Sequence, residues 1–192
     1  MIERQKEAAM KPKIQIILGS TRQGRQGEIV GSWFKKEAEK RTDLEFEYLD
    51  LRDWKLPFFG AADSLVANWQ ERIAEADGYI IITPEYNHSF TAALKNALDY
   101  GGKSWRNKPV GFVGYTAGEL GAARAVEQLR LVAIELQLAP IRESVHISGV
   151  VGALPESLGS EAMRNRLERF FAQLGWWTGA LKAARMEWQL PA

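Results

Sequence analysis

The chain has 192 residues, 46% of them hydrophobic and 26% charged, which is ordinary for one soluble globular domain with a sizeable core. Its formal net charge of +1 gives no electrostatic basis for nucleic-acid binding, nor for an acidic electron carrier that docks through a charged face. It has no cysteine, which excludes disulfides and thiol chemistry, and its two histidines, His88 and His146, have no metal-ligand spacing.

The first 12 residues, which end at Pro12, are polar and contain no apolar signal core. No run in the chain reaches the length of a membrane helix. We therefore predict that residues 1–12 form a flexible leader and that the protein is cytoplasmic. We predict no membrane partner, no nucleic-acid partner and no metal site.

A buried strand and a small polar loop follow the leader. Residues 14–18 are a nearly continuous aliphatic run, typical of a strand covered on both faces, and a helical pattern begins at Ile29. Between them lie Ser20, Thr21 and Arg22, whose hydroxyls and guanidinium suit phosphate oxygens. A loop between a strand and a helix start also directs backbone N–H groups and a helix dipole at an anion. The pattern predicts a phosphate site, with an ordinary turn as the alternative.

The spacing of this loop excludes several known phosphate-binding motifs. Thr21 stands where a dinucleotide fingerprint needs its second glycine, and the Gly-Lys-Ser/Thr ending of a P-loop is absent. Asp50 lies near the end of an alternating strand predicted over 44–51. It lies about thirty residues beyond Gly19, not the roughly twenty expected for a ribose-binding acid, so we interpret it as a loop residue. What remains is a loop for a terminal monophosphate.

A second polar loop follows a central strand. An aromatic loop is predicted at 54–60, packed under the sheet or against a ligand or another subunit. A helix over 64–76 follows it and leads into the continuous apolar run of the central strand at 78–83. Pro84 then stiffens the turn. Tyr86 offers a flat surface and Asn87 offers amide groups, as a flat heteroaromatic ring with polar edges requires. Glu85 either orders this loop or contacts a partner subunit.

The last third of the chain repeats the pattern. A buried strand at 109–114 leads into a small, glycine-bearing loop at 115–121, and a strand at 140–147 precedes a helix over 160–174. The helix between these strands has an apolar stripe, typical of core or dimer packing, made of Ala122, Val126, Leu129, Ala133 and Leu136. The tail, residues 175–192, holds three of the seven tryptophans and packs on its own domain or on a partner subunit. Together the patterns predict one doubly wound α/β domain over 13–174, with a five-stranded parallel sheet of order 2-1-3-4-5.

Three motifs in sequence order resemble the NADPH-dependent FMN reductase family of flavodoxin-like proteins. They are LGSTR at 18–22, PEYN at 84–87 with LKNALD at 94–99, and the loop at 114–121 with ARAVEQLR at 123–130. The resemblance covers roughly residues 13–174 and implies a flavodoxin-like three-layer sandwich. Members of this family include flavin, azo-dye, chromate and quinone reductases.

The resemblance implies FMN as cofactor and NADPH or NADH as reductant, with hydride passing through flavin N5 to a flavin, quinone, azo compound or metal oxyanion. No residue is predicted to be catalytic, because the flavin carries the chemistry. The implied phosphate contacts are Ser20, Thr21, Arg22, Gln26 and Gly27. The implied ring contacts are Pro84, Glu85, Tyr86, Asn87, Tyr115, Thr116, Ala117 and Gly118. Many relatives have paired glycines where this chain has Thr116-Ala117.

The family's usual assembly implies a homodimer or homotetramer with the flavin near the interface. A flavodoxin-type electron carrier and a non-catalytic flavin-binding protein are the alternatives to a reductase.

Overall fold

The computed structural model describes residues 11–188, so the predicted leader, apart from its last two residues, lies outside the described part of the chain. The strands are β1 (Lys13–Leu18), β2 (Glu45–Asp50), β3 (Gly78–Pro84), β4 (Pro109–Tyr115) and β5 (Ala139–Ile147). The helices are α1 (Gly27–Ala38), α2 (Ser64–Ala74), α3 (Ala92–Gly101), α4 (Ala123–Glu135) and α5 (Glu161–Glu187). All strand pairs are parallel, and the strand order is β2-β1-β3-β4-β5, as predicted.

Two hydrophobic cores hold helices against the two faces of this sheet. On one face, α1 and α5 pack through the fully buried Phe34 and Phe170. On the other, α2, α3 and α4 pack around the fully buried Trp69 and Trp105. Every residue of β3 and β4 is buried, which explains why both strands read as continuous apolar runs. Each large apolar side chain buried in this way contributes about 1.5–3 kcal/mol.

The C-terminal helix is longer than the sequence analysis predicts. We expected it to end at Leu174, because Gly175 is typical of a helix end, but α5 continues to Glu187. An interior glycine costs only about 1 kcal/mol relative to alanine. That cost is offset by anchoring to the protein's own domain, since Lys182 and Arg185 both form ion pairs with Asp77. The other element bounds agree with the prediction to within two residues.

Helix α4 and the aromatic loop at 54–60 each have some apolar residues packed against the core and others exposed to solvent. The predicted stripe on α4 faces the protein's own core, and the exposed apolar residues of that helix are Leu131 and Ile134. In the aromatic loop, Trp54 packs against the core, whereas Phe58 and Phe59 are exposed. Across residues 11–188, no helix is long and apolar enough to span a bilayer.

Candidate functional site

Loops that follow three neighbouring strands meet in one cavity. Because β1, β3 and β4 run parallel, their carboxyl ends lie at the same edge of the sheet. A cavity of about 260 Å³ opens there, lined by Arg22, Gln26, Pro84, Glu85, Tyr86, Tyr115, Thr116, Ala117 and Val150. The first eight of these residues were predicted from the sequence. Val150 was not, and its backbone N–H donates to the carbonyl of Thr116 at 3.0 Å.

Five predicted residues lie beside the cavity without lining it. Ser20 is fully buried, and its hydroxyl lies 3.1 Å from the Tyr86 hydroxyl. Thr21 lines a neighbouring cavity of about 650 Å³ between the 51–58 loop and the start of α3. The other three are Gly27, which lies under Tyr115, and the exposed loop residues Asn87 and Gly118.

The loop after β1 is shaped to receive an anion. The N–H of Gly19 donates to the carbonyl of Ile82 at 2.8 Å, which fixes the start of the loop on the neighbouring strand. Gly24 adopts a positive φ of 65°, where glycine is favoured, and lets the chain turn into α1. Gln26 does not cap α1 with its side chain, which instead accepts from the N–H of Gly152. The helix N-terminus therefore keeps free N–H groups for an anion.

A buried hydroxyl faces this helix start. The phenol of Tyr115 packs against Gly27, where a Cβ atom would lie only 2.5 Å from its oxygen. Its hydroxyl is buried and has no hydrogen-bond partner among residues 11–188. Burial raises the pKa of Tyr115, so the phenol keeps its proton at neutral pH. The site thus holds a buried phenol hydroxyl near Ser20 that makes no hydrogen bond of good geometry within residues 11–188.

The loop after β3 is a tight, anchored turn. Tyr86 and Ser89 exchange two backbone hydrogen bonds of 2.8 and 3.0 Å, and the two residues between them adopt left-handed conformations. These are Asn87 with φ of 49° and His88 with φ of 68°. The turn presents Tyr86 to the phosphate loop, where the guanidinium carbon of Arg22 lies 5.8 Å from the tyrosine ring centroid. Tyr86 therefore contacts both Ser20 and Arg22.

An ion pair from α4 fixes the position of this turn. Arg124 donates from Nε to Glu85 Oε1 at 2.5 Å, and its Nη1 lies 2.7 Å from His88 Nε2. Gln128, one turn further along, donates to the carbonyl of His88 at 3.0 Å. The structure shows Glu85 ordering the loop, which is one of the two roles considered for it. Glu85 Oε2 remains buried without a partner among the described residues.

The loop after β4 is held by hydrogen bonds of Thr116. The N–H of Thr116 donates to the carbonyl of Ile147 at 3.0 Å, and its hydroxyl accepts from the N–H of Gly118 at 3.3 Å. Ala117, between them, is exposed and lines the cavity. The threonine therefore stabilises the turn with its own side chain, and the small Ala117 faces the cavity.

Arg25 is buried and forms an ion pair with the partly buried Asp50, a contact that was not predicted from the sequence. Arg25 Nη1 donates to Asp50 Oδ1 at 2.8 Å and also to the carbonyl of Ser20. Burial opposes ionisation of Asp50, but hydrogen bonds from Arg25 and from the Arg52 backbone outweigh it and lower the pKa of Asp50. Our interpretation of Asp50 as a loop residue was wrong, because it is the last residue of β2. The ion pair could not be predicted because Arg25 and Asp50 are 25 residues apart in sequence and no local pattern links them.

The residues around the cavity fit a flat, phosphorylated cofactor such as FMN. One end offers the Arg22 guanidinium, the Ser20 hydroxyl and the start of α1, which suit a phosphate. The other end offers apolar walls from Pro84 and Ala117 together with unpartnered polar atoms, which suit a ring with polar edges.

The chain is similar to known flavin-dependent reductases. A sequence model of the NADPH-dependent FMN reductase family matches residues 12–152. An NAD(P)H-dependent FMN reductase of Schizosaccharomyces pombe is 34% identical over 142 residues, which cover 67% of this chain and 70% of that protein. A 2-hydroxy-1,4-benzoquinone reductase of Burkholderia sp is 32% identical over 139 residues, covering 67% and 74%. The flavoenzyme NAD(P)H:(acceptor) oxidoreductase FerB from Paracoccus denitrificans superposes with a TM-score of 0.69 at 25% identity, covering 87% of this chain and 97% of FerB.

Proposed function

This chain belongs to the NADPH-dependent FMN reductase family, and we propose that its cavity at the ends of β1, β3 and β4 binds the FMN and that a quinone is its electron acceptor. The protein is an NAD(P)H-dependent flavoprotein oxidoreductase. One observation carries the site assignment: eight residues chosen from three separate loops line a single cavity.

In this proposal the phosphate end of FMN lies against the loop after β1. Ser20, Thr21 and Arg22 supply hydroxyl, backbone and guanidinium donors, and Gln26 and Gly27 place the start of α1 beside them. Charge-assisted hydrogen bonds of this kind contribute about 1.5–3 kcal/mol each. The Tyr86 hydroxyl now contacts Ser20, so Tyr86 has to move aside when a phosphate takes that contact.

The ring of FMN contacts the two other loops. Residues Pro84 to Asn87 form one wall, and residues Tyr115 to Gly118 form the other. Tyr115 is protonated at neutral pH and can donate a hydrogen bond, while the buried Glu85 Oε2 can accept one. Donors and acceptors placed around the cavity fix the orientation of a ligand and tune its electronics.

When bound, FMN supplies the chemistry of accepting hydride from NAD(P)H and passing it on, which no amino-acid side chain provides. The protein's own residues bind the cofactor, orient it and keep water from one side of it.

The names of two relatives support a quinone as acceptor. Besides the Burkholderia benzoquinone reductase, an NADPH:quinone oxidoreductase of Arabidopsis thaliana is 33% identical over 108 residues. The overall reaction is balanced: NADPH, a proton and the quinone give NADP⁺ and the hydroquinone, with both electrons of the hydride ending on the quinone. NADPH is the reductant in this proposal.

Initial rates of NADPH oxidation by the FMN-loaded protein test the acceptor. A benzoquinone, free riboflavin, an azo dye and chromate would be compared anaerobically at equal concentrations, with NADH as the alternative reductant. We expect the quinone to give the highest kcat/KM. A higher value for free flavin, the dye or chromate would contradict the acceptor assignment but not the FMN site.

A homo-oligomer is also part of this proposal. The exposed apolar side chains of Leu131 and Ile134 on α4, and of Phe58 and Phe59 in the loop after β2, support it, because monomers rarely leave such patches bare. A cytoplasmic location completes the proposal, since NADPH is supplied there. Cell fractionation tests the location.

A further inference from the structure

Arg25 is buried beneath the loop proposed to bind phosphate. Its side chain is only 1% exposed, although an arginine is among the residue types least often buried. Its guanidinium donates to both carboxylate oxygens of Asp50 and to the backbone carbonyl of Ser20. Asp50 ends β2, so the ion pair links the phosphate loop to the edge strand of the sheet.

The contact with the Ser20 carbonyl fixes the direction of the next peptide N–H. A peptide bond is planar and trans, so the C=O of Ser20 and the N–H of Thr21 point in opposite directions. Since the carbonyl points inward to Arg25, the N–H of Thr21 points outward, on the side where Thr21 is exposed. No residue between 11 and 188 accepts a hydrogen bond from this N–H.

We propose that Arg25 is a positioning residue for the cofactor phosphate. By holding the Ser20 carbonyl, it keeps the N–H of Thr21 directed at the phosphate, and Asp50 holds Arg25 in place. Arg25 itself never touches the cofactor. The proposal rests on the proposed phosphate site at Ser20, Thr21 and Arg22.

The geometry requires an arginine and not simply a positive charge. One planar guanidinium reaches the Ser20 carbonyl and both Asp50 oxygens at once, whereas the ammonium of a lysine is a compact point charge. Arg52 provides a matched control. It also forms an ion pair with Asp50, at 3.3 Å, but its other partner is Glu28 and not the phosphate loop.

The test compares the affinities of the purified protein for FMN and for riboflavin, which lacks the phosphate. Flavin fluorescence titrations would be run on wild type, Arg25→Met, Arg25→Lys and Arg52→Met, with unfolding curves to verify each fold. We expect Arg25→Met and Arg25→Lys to bind FMN about 10- to 100-fold more weakly, the loss of one charge-assisted hydrogen bond. Their riboflavin affinity should not change, and Arg52→Met should bind both flavins as wild type does.

The remaining outcomes distinguish the positioning role of Arg25 from the phosphate site itself. An equal loss of FMN and riboflavin affinity, or full FMN affinity in Arg25→Met, would overturn the positioning role. If Arg25→Met does not fold, Arg25→Lys decides by the same ratio. A wild-type protein that binds FMN and riboflavin equally well would instead refute the phosphate site itself.

Discussion

Replacing Arg124 with alanine is expected to loosen the turn that presents Tyr86 and Asn87. Arg124 is the cation that pairs with Glu85, whose side chain is 5% exposed. The turn itself contains two left-handed residues, and this conformation costs a non-glycine residue roughly 1–2 kcal/mol. It therefore depends on its anchors, and Arg124 holds it at Glu85 and at His88.

The size of the effect follows from the burial of the two partners. Removing one partner of a fully buried ion pair costs about 3–5 kcal/mol, and an exposed pair is worth at most about 1 kcal/mol. Glu85 is buried but the Arg124 side chain is 44% exposed, so water partly replaces the lost cation. We therefore expect Arg124→Ala to lower the free energy of unfolding by about 1–3 kcal/mol.

Urea unfolding of the FMN-free protein measures this cost, and hydrogen exchange at residues 85–89 reports whether it is local. Glu127→Ala on the same helix is the control, since Glu127 is 77% exposed and its loss should change stability by less than about 0.5 kcal/mol. In a Glu85→Gln background the buried charge is gone, so Arg124→Ala should cost much less. An equal cost in both backgrounds, or an Arg124→Ala variant as stable as Glu127→Ala, would refute the reasoning.

Three further outcomes are expected. Arg22→Ala should weaken FMN binding by about 1.5–3 kcal/mol in a calorimetric titration if Arg22 contacts the phosphate, and unchanged affinity would contradict that contact. Burial lowers the pKa of Lys108 to about 8, so above that pH the unfolded chain binds more protons than the folded one and stability rises with pH. Between pH 7 and pH 10 the free energy of unfolding, measured with urea, should rise by up to about 3 kcal/mol because of this group, and this rise should be absent in Lys108→Met. An equal rise in wild type and Lys108→Met would refute it. If the chain forms the proposed homo-oligomer through α4, Leu131→Glu with Ile134→Glu should sediment as a monomer and wild type should not; identical sedimentation of the two would contradict that interface.

The sheet could be predicted because its signals are local. Buried parallel strands read as continuous apolar runs, and the carboxyl ends of β1, β3 and β4 necessarily share one edge. That geometry is why the loops at 20–27, 84–87 and 115–118 could be assigned to one site from the sequence.

The missed features depend on side chains that lie far apart in sequence. Arg25 lies in the loop before α1, and its partner Asp50 ends β2. Glu85 lies in the loop after β3, and its partner Arg124 is on α4; no periodicity or turn signal pairs either set. The length of α5 was missed for the same reason. Gly175 is a local signal for a helix end, and the contacts of Lys182 and Arg185 with Asp77 that outweigh it lie about a hundred residues away in sequence.

The absorbance spectrum of the purified protein, recorded with FMN and then with NADPH added anaerobically, tests the central claim most directly. We expect protein-bound FMN whose visible absorbance is lost when NADPH is added and returns when a benzoquinone follows. Bound FMN that responds to neither NADPH nor NADH would contradict the assigned reductase activity. A protein that binds no FMN would contradict the site formed by the loops after β1, β3 and β4.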